Sequence, residues 1–328
     1  MTVTTQLEIL DLRHFSARQL RPLLEAEAHH WEQRLRWDYR SSTELLLQYL
    51  DSRILPGFVS LDRGRVCGYA FCVYEGHKAV VGDAWSLTPD PDLTRQSNFA
   101  LLQRLLELLL YSPGIHRIES QLLLYDSGAI NGPFLEAGFT PNPRLFMQLD
   151  LPASSLSGVD GSLQLSLPAE IELAPWSSND YQASAALIHD AYANHIDSQI
   201  NDQYCTLHGS LRFLHNIVRF PGCGTFDPEQ SWLLRHKRTK ALIGLLLCSR
   251  VAADVAHITQ LCIARTWRGR ELGASLLRHA IRHLTHSGAN AITLTVTEAN
   301  HAAVELYRRS GFFVRHRFDA MVYDKPNG

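Results

Sequence analysis

The 328-residue chain contains no apolar run long enough to cross a bilayer: the longest, Ala241 to Cys248, is well short of the roughly 18 residues a spanning helix needs. Its start shows no charged segment followed by an apolar one, as a secretory leader would. A soluble, cytoplasmic protein without a membrane partner is therefore expected. The six cysteines, Cys67, Cys72, Cys205, Cys223, Cys248 and Cys262, form no Cys-x-x-Cys pair and lie in apolar segments. Buried, reduced thiols are expected, with neither a disulfide framework nor a metal site. Charge of either sign is also lacking in excess, with 31 Lys and Arg against 33 Asp and Glu and a formal net charge of -2. Such a chain has no global positive field to hold a phosphate backbone, which argues against nucleic acid as a partner. Gly-x-Gly-x-x-Gly, Gly-Lys-Ser/Thr, Gly-x-Ser-x-Gly and His-Glu-x-x-His are all missing. Their absence removes dinucleotide, P-loop, serine-hydrolase and zinc-protease readings.

What is present is a globular composition, 45% hydrophobic and 20% charged, in a length that suits two domains. A Ser- and Gly-rich stretch without helical periodicity marks a linker at 151–167 between domains 1–150 and 168–328. The first half predicts a strand at 7–12, helices at 16–38 and 43–51, and strands near 58, 66–74 and 79–86. A helix near 99–111, a strand at 117–124, a short helix ending at 137 and terminal strands to 149 follow. The second half repeats this order. Strands are expected near 171–174, 231–236, 241–250, 256–263 and 291–296, and helices near 180–196, 206–218, 272–287 and 301–310. Two anchors support a duplication: Gly68 and Gly244 open a hydrophobic strand in each half, and Gly138-Phe139 and Gly311-Phe312 follow each last helix, at nearly equal offsets.

The stretch HITQLCIARTWRGRELGASLLRHA, from His257 to Ala280, reads as strand, short turn and helix. The first N–H groups of a helix lack internal acceptors and carry the positive end of its dipole, which suits a diphosphate. Gly273 admits close approach of an anion, and Arg265, Arg268 and Arg270 add positive charge. A surface turn with solvated charges accounts for the same residues. About 30 residues on, VTEANHAAVELYRRSGFF places Asn300 where a helix begins and Ala303, Leu306 and Tyr307 on one face before Gly311 stops it.

With these two motifs at this spacing, the second half resembles the GNAT superfamily of acetyltransferases from Ile171 to about Asp324. The resemblance implies an α/β fold of two tandem GNAT-like domains, each with a mixed, mainly antiparallel sheet flanked by helices and splayed at its middle strands to admit acetyl-CoA. It maps the binding of pantetheine and pyrophosphate to Leu261, Cys262 and Ile263, then Arg268, Gly269, Arg270, Glu271, Leu272, Gly273 and Ala274. The family pattern is Gln/Arg-x-x-Gly-x-Gly/Ala, and Glu271 stands at its first glycine.

Acetyl transfer from a thioester to an amine needs a neutral amine, a polarised carbonyl and a proton for the departing thiolate, but no enzyme nucleophile. Tyr307, a phenol protonated at neutral pH, fits the acid. Asn300 can bond the pantetheine arm, cap the helix or do both. A backbone N–H near Cys262 or Ile263 would polarise the carbonyl. Relatives often carry a Glu on the fourth strand. Here His257, sharing a strand face with Thr259 and Leu261 by alternation, is the candidate base, or a strand-end histidine without chemical role.

In the first half, Ser127 and Phe134 fall where Asn300 and Tyr307 stand, and the turn TPDPDLTRQSN carries two aspartates where the diphosphate would lie. That half is expected to be a degenerate GNAT domain. Acceptor recognition is assigned to 192–226, with a small-molecule or peptide amine as partner and a monomer or homodimer as assembly. The expected activity is an acetyl-CoA-dependent N-acetyltransferase working in a ternary complex. The alternative is a non-catalytic acyl-CoA-binding or regulatory module.

Overall fold

The computed structural model describes residues 7–151, 167–220 and 222–325. The expected linker therefore lies, apart from its two end residues, outside the described residues. The chain forms two compact units, Met1–Arg144 with Arg317–Gly328, and Leu145–His316. No helix among the described residues is long and apolar enough to cross a membrane.

Unit 1 begins with β1 (Glu8–Asp11), α1 (Ala17–Leu35) and α2 (Arg40–Asp51), followed by β2 (Gly57–Asp62), β3 (Arg65–Glu75) and β4 (Lys78–Ser86). It continues through α3 (Pro91–Tyr111), β5 (Arg117–Gln121) and α4 (Asn131–Glu136) into the start of β6 (Thr140–Asp150). Unit 2 takes β6 from Leu145 and adds β7 (Ile171–Pro175), α5 (Tyr181–Tyr192), α6 (Ile196–Ile200), α7 (Leu207–Arg219) and β8 (Thr225–Phe226). Then come β9 (Trp232–His236), β10 (Leu242–Ala252), β11 (Val255–Ile263), α8 (Leu272–His286), β12 (Ala291–Thr297), α9 (His301–Arg309) and β13 (Phe313–Asp324).

The contiguous division at 151–167 is thus corrected. β6 ends in unit 2, and β13 ends in unit 1, where it pairs antiparallel with β5 from Ala320–Gln121 to Asp324–Arg117. Alternation of apolar residues tells which side of a strand is buried, not which sheet edge the strand joins. The sheet order is β1-β2-β3-β4-β5-β13 in unit 1 and β6-β12-β11-β10-β9-β7 in unit 2, with β8 also on β10. Each sheet is antiparallel among its central hairpins and parallel at one pair, β4–β5 and β11–β12.

The two units match in register. Gly68 on β3 pairs with Ser86, and Gly244 on β10 pairs with Ile263. Three residues beyond each glycine the hairpin bulges, leaving Gly82 and Thr259 without opposite partners. Each parallel ladder then ends just before its bulge, at Val81–Ser120 and Ile258–Leu294. These coincidences place the repeat in the hydrogen bonding as well as in the order of elements.

Two helix boundaries differ from expectation. α3 begins at Pro91 instead of near Phe99, because Asp90 caps it by accepting the Asp92 N–H (2.9 Å) and Pro91 needs no acceptor at the first helical position. The expected single helix 180–196 breaks after Tyr192: Asn194 turns left-handed at φ +59°, and the His195 ring caps α6 by accepting the Asp197 N–H (3.2 Å). In unit 2 one sheet face buries α8 through Leu272, Leu276, Leu277, Ala280 and Leu284. The other face buries α5 and α7 through Ala185, Ile188 and Leu214. Each such leucine contributes roughly 1.5–3 kcal/mol by leaving water, which fixes the N-terminus of α8 beside the end of β11.

Candidate active site

The β11–β12 ladder stops at Ile258–Leu294, yet β11 continues to Ile263 and β12 to Thr297. The two parallel strands therefore part, as expected for the second half. On β11 the Ala264 N–H donates to Ile243 O (2.7 Å), toward β10. By alternation the Cys262 N–H also faces β10, and the N–H groups of Leu261 and Ile263 face the opening. An amide that polarises a carbonyl in this opening would be that of Leu261 or Ile263. Opposite Ile263, Gly244 leaves no room for a side chain: a Cβ there would sit 2.5 Å from Ile263 Cδ1.

β11 leads through a one-turn 3-10 helix (Arg265–Trp267) to Gly269, at φ +75°, and then to Glu271, which caps α8 at φ +56° and ψ 13°. The first-turn amides of α8 have no acceptor within the helix, and the Glu271 side chain takes none of them. Around Gly269 no atom lies within 4 Å of where a Cβ would stand. Gly273 meets only ordinary contacts, Ile263 Cγ1 at 3.7 Å and Leu306 Cδ2 at 3.8 Å. An open strand edge running into free helix amides suits pantetheine followed by a diphosphate, so these residues fit acetyl-CoA. Two of the three arginine side chains expected there have partners within the protein. Arg268 donates to Ile263 O (3.3 Å) and Ala191 O (2.5 Å), fastening the turn to α5, and Arg270 lies over the Trp267 ring at 4.6 Å.

Tyr307 on α9 is buried, with its ring 5.8 Å from Phe312. Burial, then the charge of Asp197, hold its phenol well above the ordinary range, so it stays protonated at any physiological pH. Asn300 caps α9 by accepting the Ala303 N–H (3.3 Å). The Cys262 thiol is pushed up to about 12 by burial, which leaves it neutral and a poor nucleophile.

His257 does not hold the place expected of the base. The bulge at Thr259 reverses the alternation, so His257 shares its face with Gln260 and not with Leu261. It sits in the closed part of the ladder, 5% exposed, bonded to Thr293 Oγ1 (2.9 Å) and stacked on Phe146. Burial lowers it to about 3, and a nitrogen so reluctant to be protonated makes a poor base at neutral pH.

The cleft also gathers groups not expected individually, from the 192–226 stretch and the splayed strands. Tyr192 Oη donates to Gln260 Oε1 on β11 (2.8 Å), and Thr297 Oγ1 at the end of β12 donates to Asp197 Oδ1. The segment between α5 and α6 is therefore tied to both parted strands. Gln260 Nε2 is buried without a partner among the described residues. Tyr192 stacks on Tyr204 at 4.3 Å, and His195 packs edge-on to Tyr192. On α8, His279 and His283 pack against Trp232, and among the described residues no group of three or more His, Cys, Asp or Glu is disposed to hold a metal ion.

The corresponding opening in unit 1 is filled from within. Tyr125 Oη donates to Ala84 O (2.8 Å), on the β4 edge that faces away from β3. The hydroxyls of Ser60, Ser86 and Ser97 bond in a chain at 2.6 and 2.8 Å around Gly68. At the start of α3, Pro91 has no N–H and Asp90 takes that of Asp92. Phe134 occupies the place of Tyr307, 5.3 Å from Phe139 as Tyr307 is 5.8 Å from Phe312.

Comparison with known proteins agrees with this geometry. A model described as the acetyltransferase (GNAT) family matches residues 199–312. A mycothiol acetyltransferase of Corynebacterium efficiens is 32% identical over 84 residues, which are 26% of this chain and 28% of that relative. The chain thus matches little more than a quarter of that relative's length. Among solved structures, a GCN5-related N-acetyltransferase from Sphaerobacter thermophilus superposes with a TM-score of 0.65 at 16% identity, covering 98% of this chain and 97% of that one. A tandem GNAT protein from the clavulanic acid biosynthesis pathway gives 0.56 at 15% identity, over 98% and 100%. At these identities the structures establish the fold, a tandem pair of GNAT-like units.

Proposed function

We propose that this chain, whose residues 199–312 belong to the GNAT acetyltransferase family, is an acetyl-CoA-dependent N-acetyltransferase active in its second unit. The observation that carries the reading is the unpaired edge of β11, running into the uncapped amides of α8 beside a buried, neutral phenol. Acetyl-CoA, when bound, supplies an acetyl group activated as a thioester. Leu261 and Ile263 hold the pantetheine arm and direct an N–H at the thioester oxygen, where charge develops during transfer. The backbone of Gly269 to Ala274 receives the diphosphate. Tyr307 donates its proton to the departing sulfur, whose thiol has an ordinary pKa near 8.5. The gap between α5 and the parted strands holds the acceptor amine next to the acetyl group.

Thiol release from acetyl-CoA, followed over a panel of amines, tests the reading. Tyr307→Phe is expected to lower kcat by roughly 10²–10⁴-fold, the usual contribution of a positioned acid, with little change in acetyl-CoA affinity. Full turnover in that variant would remove Tyr307 from the chemistry. A second reading, a module that binds acyl-CoA without turnover, is favoured by Glu271 at the family's glycine position. Tight binding of acetyl-CoA with no thiol release on any amine would support it.

A further inference from the structure

We infer that Asp197 receives the acceptor: its carboxylate holds the amino group and takes the proton that leaves as the new C–N bond forms. The inference rests on the acetyl-transfer reading above and supplies the base that His257 is not placed to be.

Three observations point to Asp197. First, its position is built. Tyr192 fastens the end of α5 to β11 and Asp197 fastens the start of α6 to Thr297 on β12, so the carboxylate stands at the mouth of the opening between those strands. Second, one of its oxygens is uncommitted. Oδ1 accepts from Thr297, while Oδ2 has His195 Nδ1 at 3.4 Å and no hydrogen-bond donor among the described residues. That nitrogen already accepts the Asp197 N–H at 3.2 Å, so in the neutral ring it has no proton to offer Oδ2. With a side chain only 14% exposed and no Lys or Arg paired with it among the described residues, the carboxylate has lost much of its water without gaining a cation. Such a group is costly unless a cationic ligand completes it. Third, its charge reaches the phenols of both Tyr192 and Tyr307, which places the carboxylate within electrostatic range of the proposed acid. Gln260, bonded to Tyr192 Oη, has an Nε2 without a partner among the described residues, which offers a donor for an oxygen of the acceptor.

The proton balance closes. The amine reaches the cleft as an ammonium paired with Asp197 and loses one proton to solvent. Its lone pair attacks the thioester carbon. As C–N forms and C–S breaks, Asp197 Oδ2 accepts the second N–H proton and Tyr307 gives its own to the sulfur. Water then carries the proton from Asp197 to the phenolate, leaving an amide and a free thiol.

Calorimetric titration of the full chain with a diamine, an aminosugar and a short peptide with a free N-terminus, without acyl donor, tests this directly. At least one amine is expected to bind, at least tenfold more weakly in Asp197→Asn, while acetyl-CoA affinity changes less than twofold and Asp197→Glu restores part of the loss. Thr297→Val, which keeps the charge but frees the carboxylate, should give a smaller loss and serves if the Asn variant does not fold. For the amine that binds, kcat in Asp197→Asn should fall by about 10²-fold or more. Equal amine affinity in Asp197→Asn, or no amine bound by the wild-type chain, would overturn the role of Asp197. Failure of the wild-type chain to bind acetyl-CoA would instead overturn the acetyl-transfer reading, with the amine titration still deciding what Asp197 binds.

Discussion

Glu271 shows at one position how the chain departs from the family that its residues 199–312 match. It stands at φ +56°, a conformation that favours glycine, and the family pattern has glycine there. Glu271 is also the N-cap of α8, the helix terminus proposed to receive the diphosphate. Glu271→Gly is therefore expected to leave stability within about 1 kcal/mol and to tighten acetyl-CoA binding several-fold, whereas Glu271→Val should cost roughly 1–2 kcal/mol. Thermal melts and titrations on the two variants check both. A buried carboxyl pair in unit 1 gives a second expectation. Glu27 on α1 and Asp83 on β4 lie together, Glu27 accepting from Tyr69 Oη (2.6 Å) and Asp83 from the Ala84 N–H (2.8 Å). Burial holds both above the ordinary carboxyl range, and for Glu27 the charge of Asp83 adds to it. The folded chain thus binds the shared proton more tightly than the unfolded chain does. Stability from this pair is complete at acid pH and is lost as pH rises through the raised values. Denaturant melts from pH 5 to 9 should show a falling midpoint that Glu27→Gln flattens; a slope that the variant leaves unchanged would contradict it. Residue types alone single out Tyr307 and Gly273 as candidates in the sequence. They misplaced His257 and passed over Gln260, because a one-residue bulge at Thr259 reverses every side chain beyond it and leaves no mark on a period-two pattern.

At the scale of elements, the strand, turn and helix of the cofactor motif were readable because apolar spacing and helix boundaries are local. The start of α3 is signalled by Asp90-Pro91, a cap followed by a proline at the first helical position, although the same residues suit a turn. The break between α5 and α6 was hidden, since Asn194 and His195 only end a helix when the segment beyond finds other partners. Arg268 illustrates the same limit. A cation beside a phosphate-binding turn suggests a phosphate ligand, but its guanidinium is spent on the carbonyls of Ile263 and Ala191. Arg268→Met should therefore destabilise the chain by roughly 1–3 kcal/mol, the cost of orphaned acceptors, and leave acetyl-CoA affinity within about threefold at a temperature where the variant is folded. A tenfold loss of affinity at unchanged stability would return Arg268 to the phosphate.

For the whole molecule, doubling of the fold was visible from two glycines and the order of elements, whereas the destination of the last strands was not, because a strand's pattern does not name the edge it joins. Duplication of the fold has not carried duplication of the site. In unit 1 the strand edge is taken by Tyr125, the start of α3 is closed by Asp90 and Pro91, and Phe134 stands in the place of Tyr307. The central claim is that only unit 2 receives acetyl-CoA, at the start of α8. Calorimetric stoichiometry on the wild-type chain and on Gly273→Asp tests it most directly. An aspartate in the first turn favours the helix dipole, so the fold is kept while the anion is repelled. One acetyl-CoA per chain, lost in Gly273→Asp with no fall in the thermal midpoint, is the predicted result. Two per chain, or one that survives the substitution, would contradict the account.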